Sequence, residues 1–169
     1  HWPGLKLPAL KSLKQKWQPN APVAAIIFYR ALLQAGNLAS INGLITALKA
    51  VGVNALPLAV TSLKSSAVAE IVENLLDQAQ VGSIINGTAF ALSSPGAERS
   101  KTPFDNADCP VFQVIFSGGT EEEWREGSHG LSARDIAMNV ALPEVDGRIL
   151  TRAVSFKSDS VRHEPTQSW

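Results

Sequence analysis

Two carboxylates, Glu144 and Asp146, stand two residues apart in Pro143-Glu144-Val145-Asp146-Gly147, a spacing that suits acid–base or cation chemistry. Proline fixes φ on one side and glycine permits positive φ on the other, so the backbone sets the shape of the turn and leaves the acids free for other work. If the turn lies on a strand edge, side chains two apart point to the same side, and both acids face one cavity. There they can accept protons or hold a hard cation. The alternative is a pair of solvated turn residues. His129, in Glu126-Gly127-Ser128-His129-Gly130, lies three residues from a carboxylate in a glycine-containing loop. It can ligate a divalent metal or relay a proton; equally, it can cap a helix C-terminus.

The elements that must position these groups are legible on either side of them. Upstream, Ser132 can cap a helix, Asp135 suits its positive end, and Ile136, Ala137 and Val140 share a face; the helix is expected to stop before Pro143. Downstream, residues 148–156 alternate between two faces, the pattern of a strand. Val23 to Tyr29 (VAAIIFY) is almost wholly apolar, as in a strand covered on both faces. RALLQAGN is a loop or partial helical turn. A helix follows over about 38–51, capped by Asn37 and ended by Gly52, with Leu38, Ile41, Leu44, Ile45, Leu48 and Val51 as its buried stripe. NALPLAV (54–60) is a second strand, and Pro57 puts it at a sheet edge, as in the strand order 2-1-3-4-5. Ser65 or Ser66 starts a helix to about Gln78, with Val68, Ile71, Val72, Leu75 and Leu76 inward. VGSIIN (81–86) and PVFQVIF (110–116) are further strands, the latter leading through Ser117-Gly118-Gly119-Thr120 into an acidic helical turn behind a threonine cap. Residues 93–109 form a polar surface excursion.

Strands alternating with helices predict an α/β three-layer domain of the flavodoxin-like or Rossmann-like kind, with a mostly parallel sheet and flanking helices. Residues 1–20 form a peripheral helical segment, 21–159 the α/β domain, and 160–169 a polar tail. In such sheets ligands sit at the carboxyl ends of strands, here Tyr29 and Arg30, Thr61 and Ser62, Asn86 to Thr88, and Ser117 to Thr120; of these, Tyr29, Arg30, Asn86, Ser117, Gly118 and Gly119 are nominated. Ser117 to Thr120 is a possible anion cradle at a helix N-terminus, or only a tight turn. PGAERSKT (95–102) superficially suggests a phosphate-binding loop, but Ser100 and Pro95 stand where glycines are required, so nucleotide hydrolysis is not expected.

The chain has 169 residues, is 45% apolar and has formal net charge zero, which fits one globular domain and gives no nucleic-acid footprint. Lys6, Lys11, Lys14 and Lys16 make a solvated helix face. The single cysteine, Cys109, excludes an internal disulfide and favours a reducing, cytoplasmic setting. No apolar run reaches the roughly 18 residues of a membrane span, and no signal peptide is evident. The start at His1 and the polar SVRHEPTQSW end suggest a piece of a longer protein.

The segments PVAAIIFYRALLQAGNLASINGLITALKAVGVNALPL, PVFQVIFSGGTEEEW and GLSARDIAMNVALPEVDGRI, followed by TRAVSFK, resemble the CobN/magnesium chelatase large-subunit family, in one register over about residues 21–159. The resemblance implies one domain of a tetrapyrrole-binding large subunit that inserts Co2+ into hydrogenobyrinic acid a,c-diamide. It further implies AAA+ partner subunits that use ATP and Mg2+, so neither is bound here. The PELDG motif of the magnesium branch matches Pro143 to Gly147, which carries a chelation role to Glu144; Val145 in place of leucine departs from it. A magnesium-type enzyme acting on a porphyrin, a scaffold or docking domain, and a small-ligand module like a periplasmic binding protein are the alternatives.

Overall fold

The computed structural model describes residues 10–93, 96, 101–128 and 130–157. Its order is α1 (Leu10–Lys14), β1 (Val23–Tyr29), α2 (Arg30–Gln34), α3 (Ala39–Ala50), β2 (Asn54–Val60), α4 (Ser66–Ala79), β3 (Ser83–Asn86), β4 (Val111–Thr120), α5 (Glu121–Glu126), α6 (Ala133–Ile136), α7 (Leu142–Glu144) and β5 (Ile149–Lys157). A 3-10 turn spans Asp105–Ala107, and a π-helical segment, Ala137–Ala141, joins α6 to α7.

The strands form one five-stranded sheet in the order β2-β1-β3-β4-β5, and every pairing is parallel. That is the expected order, with Pro57 on the edge strand, where a missing N–H disturbs only one ladder. β1 lies inside the sheet, between β2 and β3, and is buried on both faces. Ala25 and Ile27 pack with Val72, Leu76 and Ala79 of α4, and Leu10, Leu13 and Trp17 close that layer from the N-terminal segment. Ile26 and Phe28 face the other way, onto Ile41, Leu44, Ile45 and Leu48 of α3. The result is three layers, each face of the sheet covered by helices, as α/β alternation requires.

Local chemistry departs from expectation in instructive places. Leu38, not Asn37, is the residue at the start of α3, and it offers no side-chain cap. Val51 and Ile71 are exposed, because each lies on the outward edge of its helix's apolar stripe. β4 runs four residues past Phe116, so the Ser117-Gly118-Gly119-Thr120 run is strand, not loop. Thr120 does cap α5, in a reciprocal capping box with Glu123. Hydrogen bonds from the Thr120 backbone and side chain hold the Glu123 carboxyl below its usual range. The helix beginning at Ala133 does not stop before Pro143. Its π segment, with the Leu142 N–H donating to the Ala137 carbonyl, widens the turn and shifts the upstream carbonyls from the register that a proline ring would strike. The chain leaves this helix at Gly147, whose φ of +73° turns it into β5. The first nine residues, Lys6 among them, and the bulk of PGAERSKT lie outside the described residues.

Gly87 is required by a close approach. A β-carbon there would sit 2.2 Å from Phe116 Cε2, in the ring itself. Gly87→Ala is therefore expected to destabilise the fold by about 1–3 kcal/mol, as overpacking does. The penalty should shrink in a Phe116→Leu background, which a double-mutant cycle by urea unfolding will read.

Candidate functional site

β1 and β3 are neighbours although the chain crosses to opposite edges after them, so the crevice at their carboxyl ends is the topological switch point. A cavity of about 360 Å³ opens there, lined by Tyr29, Thr61, Ser62, Lys64, the loop after β3 and Arg148. Beneath it lies a buried polar network on the α4 face of the sheet. Asn86 and Gln113 are register partners on β3 and β4, and Asn86 Nδ2 donates to Gln113 Oε1 at 2.7 Å. Thr88 Oγ1 donates to Asn86 Oδ1 at 2.9 Å. The Thr88 carbonyl accepts from Asn86 Nδ2, Gln113 Nε2 and an Arg148 guanidinium nitrogen at 3.0, 3.1 and 3.3 Å. Arg148 also donates to Gln113 Oε1 at 3.1 Å and to Asp146 Oδ2 at 2.9 Å. Its guanidinium lies 6.0 Å from the Phe104 ring centroid.

The Glu144 and Asp146 side chains do not share a cavity. The PEVDG segment is the end of a helix, where two residues are about 200° apart around the axis, not a strand edge. Glu144 is exposed, while Asp146 is buried with 5% of its surface accessible. Both Asp146 oxygens are engaged: Oδ2 takes Arg148 and the Leu92 N–H at 2.7 Å, and Oδ1 takes the Ser93 N–H at 2.9 Å. Asp146 thus ties the loop after β3 to the start of β5. A second cavity, about 370 Å³, lies on the other side of this pair, among Asp105, Asp108, Cys109 and Gly147. Burial, and then Asp108, push the Cys109 thiol up.

The remaining sequence-nominated residues separate into surface and buried groups. Tyr29 lines the switch-point crevice, its hydroxyl donating to the Ala89 carbonyl at 3.1 Å. Arg30 is exposed at the start of α2. Asn86 is wholly buried and acts through Thr88. The N–H row of Ser117 to Thr120 has the shape of an anion cradle, but the protein fills it with its own oxygens. Gly118 N donates to Asp135 Oδ2 at 3.1 Å, Gly119 N to Ser117 Oγ at 3.1 Å, and Thr120 N to Glu123 Oε2 at 2.9 Å. Asp135, rather than Ile136, is the buried residue of α6, and it also accepts from Ser117 Oγ at 2.8 Å. His129 lies outside the described residues, and among those described no group of three or more His, Cys, Asp or Glu side chains is disposed to hold a metal ion. No described helix is long and apolar enough to cross a membrane.

Sequence reasoning missed Gln113 and Arg148. The signal available was a polar residue inside each of two apolar strands, Asn86 in VGSIIN and Gln113 in PVFQVIF, which must find one another when buried.

Two predictions follow from the coupling of these groups. Arg148→Met strands the Asp146 carboxylate in the interior and should cost about 3–5 kcal/mol, whereas Glu144→Gln, on the surface, should stay within about 0.5 kcal/mol in chemical denaturation. Burial raises the Tyr29 phenol above its ordinary value, with the Ala89 hydrogen bond and Arg148 opposing more weakly. The folded state therefore favours the neutral phenol: its contribution is complete below pH about 10 and declines as pH rises towards the folded value. Tyr29 is the only tyrosine of the chain, so tyrosinate difference absorbance reads it directly, and Tyr29→Phe should flatten the alkaline loss of stability.

Comparison with known proteins accords with this architecture. The family model described as CobN/Magnesium Chelatase matches residues 5–168. The chain is 50% identical over 140 residues to the aerobic cobaltochelatase subunit CobN of Sinorhizobium sp, covering 83% of this chain and 11% of that protein. It is 44% identical to the Pseudomonas aeruginosa subunit of the same name, over 94% of this chain and 13% of that protein. The solved catalytic subunit of cobaltochelatase from Mycobacterium tuberculosis superposes with a TM-score of 0.66 at 26% identity, over 78% of this chain and 12% of that one. The chain thus spans little more than a tenth of the length of these relatives. With a family model matched along almost all of its length, on a sheet of the same architecture, the chain belongs to the CobN/magnesium chelatase family.

Proposed function

We propose that the chain is a domain of the large, tetrapyrrole-binding subunit of an ATP-dependent cobaltochelatase, a ligase that forms nitrogen–metal bonds by inserting Co2+ into hydrogenobyrinic acid a,c-diamide. The observation that carries this reading is the 50% identity to a cobaltochelatase subunit over 83% of the chain. AAA+ partner subunits supply ATP hydrolysis with Mg2+, and the rest of the large subunit completes the site. Insertion requires a distorted ring to be held, the metal to shed water, and two ring nitrogens to lose protons.

Of the two carboxylates in PEVDG, only Glu144 is exposed, and so only it is available to accept a proton or meet an incoming dication. Asp146 has its oxygens committed to Arg148 and to the loop after β3, which gives it a positioning role. His129 is the companion that would share metal delivery with Glu144. A second reading, a docking domain with the chemistry elsewhere in the subunit, is favoured by the exposure of Ile149 and Leu150 on edge strand β5.

The discriminating experiment is cobalt insertion by the intact large subunit carrying Glu144→Gln, reconstituted with its ATPase partners, with tetrapyrrole binding measured on the same preparation. Loss of a general base should lower insertion by about a hundredfold or more while binding persists. Unchanged insertion would remove Glu144 from the chemistry and leave the docking reading.

A further inference from the structure

Phe90 holds a backbone conformation that a bulky L-residue seldom adopts, φ +68°, and 45% of its surface is nonetheless accessible. Burial of the ring does not explain why the strain is kept. The loop around it is over-determined: Arg148 and Gln113 hold the Thr88 carbonyl, and the Tyr29 hydroxyl holds that of Ala89. The Phe90 N–H donates to the carbonyl of Met138, inside the π segment, and Asp146 takes the N–H groups of Leu92 and Ser93. Strained residues fixed from several sides cluster at ligand sites, and π segments recur there too.

The ring lines the switch-point crevice, together with Thr61, Ser62 and Lys64. Lys64 is exposed and forms no ion pair among the described residues. The one other cation lining the crevice, Arg148, is already paired with Asp146. An aromatic face beside an uncommitted ammonium and two hydroxyl-bearing residues suits the conjugated face of a macrocycle with an acidic group on its edge.

The geometry points to the crevice between β1 and β3 as a subsite for one edge of the tetrapyrrole, with Phe90 stacked on the ring face and Lys64, beside Thr61 and Ser62, holding a carboxylate substituent. This rests on the tetrapyrrole reading above and adds to it the residues that touch the ring. The strain at Phe90 serves display of its side chain, so glycine there relaxes the backbone and deletes only the contact.

The test is titration of the intact large subunit with metal-free hydrogenobyrinic acid a,c-diamide, followed by the absorbance of the ring, alongside thermal melting. Phe90→Gly should melt no lower than the parent and bind about tenfold more weakly, while Phe90→Trp, which keeps an aromatic face, should bind within about threefold. Lys64→Gln should weaken binding severalfold and reduce its salt dependence, with Lys49→Gln on α3 as the control. If Phe90→Gly and Lys64→Gln bind like the parent, the subsite is overturned while the chelatase reading stands. If Phe90→Gly melts much lower, the ring is structural, and the Phe90→Trp and Lys64→Gln titrations decide: unaltered binding by Lys64→Gln, or a large loss in Phe90→Trp, overturns the subsite. If the parent itself binds no ring, both readings fall.

Discussion

The ion pair between Asp146 and Arg148 is the constraint on which the carboxyl-end architecture depends. Both side chains are almost completely removed from water, at 1% and 2% exposure, which is costly for each charge alone. The cost is offset by satisfying the pair from several directions. Two backbone N–H groups of the loop after β3 meet the carboxylate, and the Thr88 carbonyl and Gln113 meet the guanidinium. Because these partners belong to different elements, the pair fixes the end of α7, the loop after β3, the first residues of β4 and the start of β5 in one arrangement. Gly147, between the two charged residues, lets the chain reverse from helix to strand without separating them.

The sheet is apolar towards the amino ends of its strands and polar towards the other. On the α4 face, Ala25 and Ile27 are followed by Tyr29, Ile84 by Asn86, and Val111 by Gln113. Parallel register sets Asn86 between Ile27 and Gln113, so the dry core gives way to hydrogen-bonding groups on β3 and β4 one step before Tyr29 continues the change on β1. The same principle operates at the far side of the sheet, where Asp135 closes the β4 backbone with internal oxygens. Polar backbone that leaves the sheet is satisfied by side chains placed for that purpose, not by open turns.

The strand order was legible because it follows from coarse signals: the apolar run of β1, the helical stripes of α3 and α4, and Pro57 confined to an edge. Caps carried by hydroxyls, at Thr120 and Ser132, were equally visible. What remained hidden depended on contacts between distant residues. Nothing local distinguishes Glu144 from Asp146, and only the three-dimensional position of Arg148 and of the Leu92 and Ser93 amides makes one buried and the other free. The passage of the helix through Pro143 was likewise unreadable, since a π segment has no compositional signature and proline is otherwise a stop. The two glycines of the Ser117 run suggested a loop. They are extended strand instead, bracketed by the pairing of Phe116 and Thr120 with β5.

The interior position of β1 has a consequence for biosynthesis. VAAIIFY is nearly all apolar and free of charge, the composition of a segment prone to pair with copies of itself. Its partner β2 is made soon afterwards, but β3 begins only at Ser83, so one side of β1 waits for about sixty residues of further translation. At ordinary ribosomal speeds that interval is roughly 3–12 s. During it the edge later sealed by β3 is open, so nascent chains on neighbouring ribosomes have their opportunity to cross-pair before the sheet has a middle.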